Sequence, residues 1–85
     1  MDIGQLADEL RKIYDTAPRG EQVTHIHLFG IKYAAELARF APASVAERAG
    51  IGRSYGTEIN KGRNLAKYVE LKPLEQGNDR RRLLS

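Results

Sequence analysis

Apolar residues at helical spacing define the first element of the chain. They recur at intervals of three and four residues between Asp2 and Tyr14, namely at Ile3, Leu6, Ala7, Leu10, Ile13 and Tyr14. This spacing predicts an amphipathic helix that turns one face towards a core. Asp2 precedes the apolar run and is expected to cap the start of the helix. A dimer interface along part of the same stripe stays open as an alternative.

A second apolar pattern, over residues 18–39, fits two kinds of structure. The run VTHIHL alternates between apolar and polar residues and is rich in β-branched side chains, which is typical of a strand over 22–29. A wider set keeps helical spacing, namely Val23, Ile26, Gly30, Tyr33, Ala34, Leu37 and Ala38. We prefer one long helix over about Pro18–Arg39, with Pro18 in its first turn and Gly30 as its weak point.

Residues 42–62, PASVAERAGIGRSYGTEINKG, predict two short helices joined by a tight turn, the helix-turn-helix arrangement. In the first helix Ser44 and Glu47 have the spacing of a capping box. Gly50 suits the left-handed position that ends many helices. Helices of about two turns are too short to be stable alone, so both must pack on other elements.

The second of these helices is expected to start at Gly52 or Arg53 and to end at Gly62. Tyr55 and Ile59 lie four residues apart and would share one face of it. Lys61 would then lie near the negative end of the helix, where a cation is favourable. The predicted recognition helix therefore covers about 53–61.

The pattern changes again after this helix. Residues 64–73 predict a short strand that ends at Pro73 and turns three apolar residues inward, Leu65, Val69 and Leu71. A strand here would form the wing of a winged helix, and a short packed helix is the alternative. Residues 74–85, with three consecutive arginines, predict a flexible basic tail. The expected organisation is a helix-turn-helix domain over 1–73 and a tail over 74–85.

These patterns together predict a mainly α fold. The expected architecture is a small helix-turn-helix bundle of about four helices, with the short C-terminal β wing strand as an open addition. The length of 85 residues suits one domain with its own core.

Composition narrows the class of protein. The chain has no cysteine, which excludes a disulfide framework and a thiolate metal site. Its net charge of +3 permits a polyanionic partner without requiring one. No apolar run reaches the length of a signal peptide or of a membrane span, so we expect no membrane association and a cytoplasmic bacterial or phage protein.

Catalytic and metal-binding patterns are not recognisable in the chain. His25 and His27 have no third ligand at a familiar spacing, so no metal site is expected. There is no phosphate-binding glycine loop and no Ser-His-Asp signature. We therefore expect no enzyme activity, no cofactor and no small-molecule ligand.

The run AERAGIGRSYGTEINKG resembles the helix-turn-helix of Cro-like phage repressors and their bacterial relatives. The matching positions are Ala46, Gly50, Ile51, Arg53, Ser54, Tyr55, Glu58, Ile59 and Gly62. Two positions depart from that family, since Gly52 replaces a capping Ser or Thr and Gly56 replaces a buried apolar residue. Gly56 then allows close approach of another helix or of DNA, or marks a kinked helix. More loosely, the chain resembles small bacterial domains described as helix-turn-helix-like, including winged ones.

This resemblance implies sequence-specific binding of double-stranded DNA by a transcriptional regulator, with a homodimer as a further expectation. The expected DNA-binding residues are Arg53, Ser54, Tyr55, Thr57, Glu58, Lys61, Arg63 and Lys67. Arg53 suits a bidentate contact to guanine, and the basic cluster over 61–67 suits phosphates. Glu58 either accepts from cytosine or pairs with Lys61 on its own helix. Tyr55 either packs inward or contacts a phosphate.

A second function uses the same fold without DNA. In this alternative the domain is a protein–protein interaction module or an inhibitor that grips a protein with its recognition helix. It would then expose an apolar patch around Tyr55 and Tyr68.

Overall fold

The structure, a computed structural model, describes residues 1–72. This part of the chain forms four α helices, α1 (Ile3–Thr16), α2 (Gln22–Lys32), α3 (Pro42–Ala49) and α4 (Gly56–Leu65). Two 3₁₀ turns lie between them, Glu36–Ala38 before α3 and Arg53–Tyr55 before α4. The predicted mainly α helix-turn-helix bundle is confirmed. The predicted tail, 74–85, lies outside the described residues.

One hydrophobic core draws on every helix. Its buried residues are Leu6, Ala7, Leu10, Ile26, Phe29, Leu37, Val45, Ala46, Ala49 and Ile59. Helix α2 packs against α4, and α1 packs against α3 and α2. The two short helices of the helix-turn-helix are thus stabilised by packing rather than by their own propensity. No helix in the described part of the chain is long and apolar enough to span a membrane.

Helix α1 follows its apolar stripe, as predicted. The Asp2 carboxylate accepts a hydrogen bond from the backbone N–H of Gln5 at 2.8 Å. The Gln5 side chain in turn accepts one from the backbone N–H of Asp2 at 2.9 Å. This reciprocal capping box satisfies backbone donors at the helix start. The expected role of Asp2 is therefore confirmed, with Gln5 as its partner.

The predicted start of the second helix at Pro18 is wrong. The carbonyl of Pro18 instead accepts from the N–H of Glu21 at 2.9 Å, which closes a turn. Gly20 has a φ of 83° within that turn, a left-handed conformation that ends regular helix geometry. Helix α2 begins only at Gln22, and the strand alternative for 22–29 is wrong as well.

The single long helix is also wrong at its other end, since α2 ends at Lys32. The chain then bends, and Leu37 enters the core from the following 3₁₀ turn. The Arg63 guanidinium, from α4, donates to the Leu37 carbonyl at 3.2 Å. Because this contact joins residues far apart in sequence, the helical spacing of the segment could not reveal the bend. Gly30, the expected weak point, lies inside α2 and is buried.

Helix α3 begins two residues earlier than its predicted cap. Pro42 occupies the first turn, where a missing N–H costs nothing, and Ala41 is the N-cap residue. Ser44 lies inside the helix, so the predicted capping box with Glu47 is wrong. Gly50 follows Ala49 with a φ of 81°, which confirms the predicted left-handed helix end.

The predicted bounds of the recognition helix, about 53–61, are wrong at both ends. Helix α4 begins at Gly56, after the 3₁₀ turn over Arg53–Tyr55, and continues past Gly62 to Leu65. A Cβ atom on Gly62 would overlap the carbonyl oxygen of His27 on α2. Gly30 on α2 is placed in the same way, because a Cβ there would overlap the carbonyl oxygen of Ile59. Both glycines are explained by a close crossing of two helix backbones, and Gly62 is not a terminator.

The predicted wing strand is wrong. After α4 the backbone N–H groups of Tyr68 and Val69 both donate to the carbonyl of Leu65, at 2.8 and 3.2 Å. This turn satisfies a carbonyl at the end of α4. Residues 70–72 follow without regular structure, and no strand occurs within residues 1–72. The alternative of a separate short helix is wrong too.

Candidate nucleic-acid interface

Gly56 sets the position of α4 against α3. A Cβ atom on Gly56 would lie 2.7 Å from the backbone of Ala43, closer than real Cβ contacts allow. The first of the alternatives for Gly56, close approach of another helix, is therefore confirmed. The absence of a side chain at this position brings the start of α4 directly onto α3.

The opposite side of α4 is open to solvent. Thr57, Asn60, Lys61 and Asn64 fall within an arc of about 100° at the spacing of an α helix. Thr57, Lys61 and Asn64 are exposed and Asn60 is half-buried. Arg53 and Ser54, both exposed, precede them in the 3₁₀ turn. We call these six residues the outer face: Arg53, Ser54, Thr57, Asn60, Lys61 and Asn64.

Arg53 is oriented by a carboxylate on α3. Its Nη1 donates to Oε1 of Glu47 at 2.7 Å, and the two side chains are 59% and 62% exposed. An exposed pair of this kind contributes at most about 1 kcal/mol. The guanidinium can therefore exchange Glu47 for another acceptor at little cost.

Glu58 bridges α4 to α2 at the edge of the outer face. Its Oε1 accepts from Nε2 of His27 at 2.7 Å, and its Oε2 from Nζ of Lys61 at 3.4 Å. The bond to His27 lowers the pKa of Glu58 below its ordinary value, with a smaller contribution from Lys61. The predicted alternative of a Glu58–Lys61 pair is confirmed. A contact to cytosine stays a prediction and would compete with both partners.

The two histidines have separate carboxylate partners. Nε2 of His25 lies 3.5 Å from Oε1 of Glu21, the residue that precedes α2, whereas His27 contacts Glu58 on α4. Within residues 1–72, no group of three His, Asp or Glu side chains is placed to hold a metal ion.

The basic residues predicted as one cluster over 61–67 do not share one surface. Lys61 belongs to the outer face, whereas Arg63 is half-buried and donates to the Leu37 carbonyl. Lys67 follows the end of α4, with its Nζ 5.8 Å from the centre of the Tyr68 ring. Arg63 therefore has a structural role that the sequence pattern did not indicate.

Tyr55 packs inward. Its ring meets that of Tyr14 edge-on, with the centroids 5.7 Å apart. A side-chain hydrogen bond with Tyr14 raises the pKa of Tyr55 above its ordinary value. Tyr55 thus attaches the start of the recognition segment to α1, as the packing alternative expects. A phosphate contact from Tyr55 stays a prediction.

Asn64 is a candidate contact residue that the sequence prediction missed. It is exposed on the outer face, seven residues after Thr57 and three after Lys61. This spacing was available in the sequence. A helix that ends at Gly62 excludes Asn64, whereas α4 extends to Leu65 and includes it.

Exposed apolar side chains gather near the end of α4, away from Tyr55. They are Leu65, Tyr68, Val69 and Leu71, with Leu28 of α2. A cleft of about 720 Å³ lies between α2 and the C-terminal segment, and it is lined by Leu28, Ile31, Lys32, Val69, Glu70, Leu71 and Lys72. Of the two tyrosines expected to be exposed in a protein-interaction module, Tyr68 is exposed and Tyr55 packs against the core.

Comparison with protein families agrees with this architecture. The family model described as HTH-like domain matches residues 2–72, and the chain belongs to that family. No curated protein and no solved structure matches the chain. The family supports the helix-turn-helix, while the closer resemblance to Cro-like repressors stays a prediction.

Proposed function

We propose that this HTH-like domain binds double-stranded DNA in a sequence-specific manner through the outer face of α4. The observation that carries the proposal is the division of α4 into two sides. One side is held against α2 and α3 at Gly56 and Gly62, and the other presents polar and basic side chains to solvent. We propose that the protein acts as a homodimeric transcriptional regulator in a bacterial or phage-infected cytoplasm. The function is binding alone, without a catalysed reaction or a cofactor.

The outer face has the chemistry for reading a major groove. An α helix fits that groove, and the N-terminal part of a recognition helix meets base edges. Arg53 suits a bidentate contact to guanine, and Asn60 and Asn64 suit adenine. Lys61 suits a phosphate, and the net charge of +3 favours association with a polyanion. The hydroxyl groups of Ser54 and Thr57 can donate to a base edge or to a phosphate.

The test measures binding to random-sequence duplex DNA as a function of salt concentration. The unmodified protein is expected to bind more weakly as salt rises, because each phosphate contact releases a counterion. The Arg53→Ala/Lys61→Ala double variant is expected to bind more weakly at every salt concentration. Its salt dependence should also be shallower by about one contact, the contribution assigned to Lys61.

A matched control removes the same charge elsewhere. Lys12→Ala/Arg19→Ala neutralises one residue on α1 and one in the following turn, outside α4. It should retain a salt dependence close to that of the unmodified protein. A folded protein that does not bind DNA at low salt, or equal losses in the two double variants, would contradict the proposal.

A protein-interaction module or inhibitor is the second candidate. The exposed apolar residues around Tyr68 favour it, since Tyr68 is 79% exposed. In that case the folded protein would not bind DNA even at low salt concentration.

A further inference from the structure

The pair of Arg53 and Glu47 joins the outer face to a carboxylate on another helix. Nη1 of Arg53 donates to Oε1 of Glu47 at 2.7 Å, the length of a charge-assisted hydrogen bond. Glu47 lies in the last turn of α3, and Arg53 lies in the 3₁₀ turn before α4. Both side chains are more than half exposed, so a nucleic acid on the outer face would contact this pair.

The single bond to Glu47 leaves most of the Arg53 guanidinium free. An arginine side chain has five N–H donors in a flat fork, and the edge formed by Nε and Nη2 takes no part in the bond to Glu47. Such an edge fits the two acceptors of guanine, O6 and N7. Because guanine is uncharged, Glu47 can keep its bond to Nη1 while the base binds the other edge.

A phosphate is a less favourable partner for Arg53 than guanine. Two acceptors on one guanidinium lie on the order of 5 Å apart, because each is one hydrogen-bond length from a nitrogen. Two anions at this separation repel each other. The separation is shorter than the Debye length of about 8 Å at physiological salt, so the repulsion is only partly screened. The carboxylate of Glu47 therefore disfavours a phosphate on Arg53.

Lys61, the other cation of the outer face, has a different environment. Its Nζ lies 3.4 Å from Oε2 of Glu58, and Oε1 of the same carboxylate contacts His27 on α2 at 2.7 Å. The carboxylate near Lys61 is thus shared with a second helix and held there. A lysine ammonium is also a compact charge on a flexible stem, which suits a phosphate better than a base pair.

We infer that Glu47 is a positioning residue that directs Arg53 to a guanine and away from phosphates. This inference rests on the proposed function, in which the outer face of α4 enters the major groove. It assigns a role in recognition to a residue of α3, outside the recognition segment. Glu47 then lowers the affinity for DNA of arbitrary sequence more than the affinity for a site with a guanine at Arg53.

The test compares the unmodified full chain with Glu47→Gln, Arg53→Ala and the variant that carries both changes. Glutamine keeps a side-chain oxygen that can accept from Arg53 but removes the charge. Binding to random-sequence duplex DNA is measured over a series of salt concentrations. Glu47→Gln should bind about fivefold more tightly at low salt, since Arg53 can then bind a phosphate. Its salt dependence should be steeper by about one contact.

The variant with both changes shows whether Glu47 acts through Arg53. Without the arginine side chain, the removal of the Glu47 charge should leave the salt dependence equal to that of Arg53→Ala alone. A general repulsion between Glu47 and DNA would instead persist in this variant. Asp8→Asn removes the same charge from an exposed position on α1 and should not change the salt dependence.

A second measurement examines the base. Duplexes that the unmodified protein selects from a random pool should share a guanine that Arg53→Ala no longer requires. In Glu47→Gln the preference for this guanine over the other bases should fall by about fivefold, because Arg53 then divides between guanine and phosphate. Both side chains are exposed, so these changes should not unfold the domain, and circular dichroism checks this.

Two kinds of failure are distinguishable. An unmodified protein that does not bind DNA at low salt would overturn the proposed function and this inference together. DNA binding with an unchanged salt dependence in Glu47→Gln would overturn this inference alone. An equal change with and without the Arg53 side chain would do the same.

Discussion

The two sides of α4 differ in their surroundings: the inner side packs against other helices, and the outer side faces solvent. On the inner side Gly56, Ile59 and Gly62 are buried, and backbone atoms of two other elements lie against the glycines. On the outer side Thr57, Lys61 and Asn64 face solvent. The inner side has no space for even one added methyl group. The outer side accepts any side chain that the helix tolerates.

This difference separates stability from recognition within one helix. Substitutions on the inner side should change the free energy of unfolding, because close-packed interiors cannot absorb added volume. Substitutions on the outer side should mainly change binding, since exposed positions away from special contacts alter stability little. Glu58 and Arg63 are half-buried and lie between the inner and outer sides of α4, where each contacts another part of the fold.

The largest effect is expected from Gly62→Ala. The new Cβ would overlap the carbonyl oxygen of His27, and neither backbone can move without separating α2 from α4. Overpacking usually costs about 1–3 kcal/mol, and a backbone overlap belongs at or above the upper end of that range. Chemical denaturation monitored by circular dichroism measures the loss.

Gly4→Ala is the matched control for this substitution. Gly4 also lies inside a helix, but its Cβ would meet only the ends of two side chains, Nη2 of Arg48 at 3.1 Å and Oδ1 of Asp2 at 3.4 Å. Because alanine favours helix over glycine by about 1 kcal/mol, this variant should be as stable as the unmodified protein or more stable. Equal stabilities of the Gly62 and Gly4 variants would contradict the close crossing of α2 and α4.

A smaller effect is expected from Arg63→Ala. Its loss removes the hydrogen bond to the Leu37 carbonyl and should lower the free energy of unfolding by about 1 kcal/mol. The salt dependence of DNA binding should not change, in contrast to that of Lys61→Ala, which should become shallower. The opposite result, a shallower salt dependence at full stability, would return Arg63 to the phosphate contacts predicted from the sequence.

The smallest effect is expected from Glu58→Gln and depends on pH. Because the bond to His27 lowers the pKa of Glu58 in the folded state, the charged carboxylate contributes stability above its ordinary pKa of 4.5. That contribution is lost as pH falls through the lowered pKa. The stability difference between the unmodified protein and Glu58→Gln should therefore shrink as the solution is acidified.

Asp8→Asn, which changes an exposed carboxyl group on α1, is the control for this pH series. Denaturation midpoints from neutral to acid pH measure both variants. A Glu58→Gln difference that does not vary with pH would show that the pair with His27 contributes no charge-dependent stability.

Local patterns predicted several parts of this fold well. The α1 stripe, its Asp2 cap and the left-handed Gly50 each depend on residues that are neighbours in the chain. A glycine after a short amphipathic helix is favoured at a left-handed end because it has no Cβ. The helix-turn-helix could thus be recognised from about twenty residues of sequence.

The same local signals misled where distant residues interact. In the sequence Gly62 resembles a helix terminator. Only the structure shows that a Cβ atom at Gly62 would overlap the carbonyl oxygen of His27, so that glycine permits the helix crossing. The apolar spacing through Leu37 resembles a continued helix, although the core and Arg63 hold a bend there. Asn64 is absent from the predicted contact residues because the predicted helix ends at Gly62 and α4 continues to Leu65.

The sequence by itself determined the class of fold, the position of the helix-turn-helix and four residues of the outer face, Arg53, Ser54, Thr57 and Lys61. These properties follow from spacing, capping and turn chemistry, which act over a few residues. Only the tertiary structure decided where α2 ends and why Gly30, Gly56 and Gly62 are glycines. It also decided that Glu58 contacts His27 and that Arg63 donates to the backbone carbonyl of Leu37. Those outcomes depend on contacts between elements, and the distances between such elements are not encoded in any single stretch of the chain.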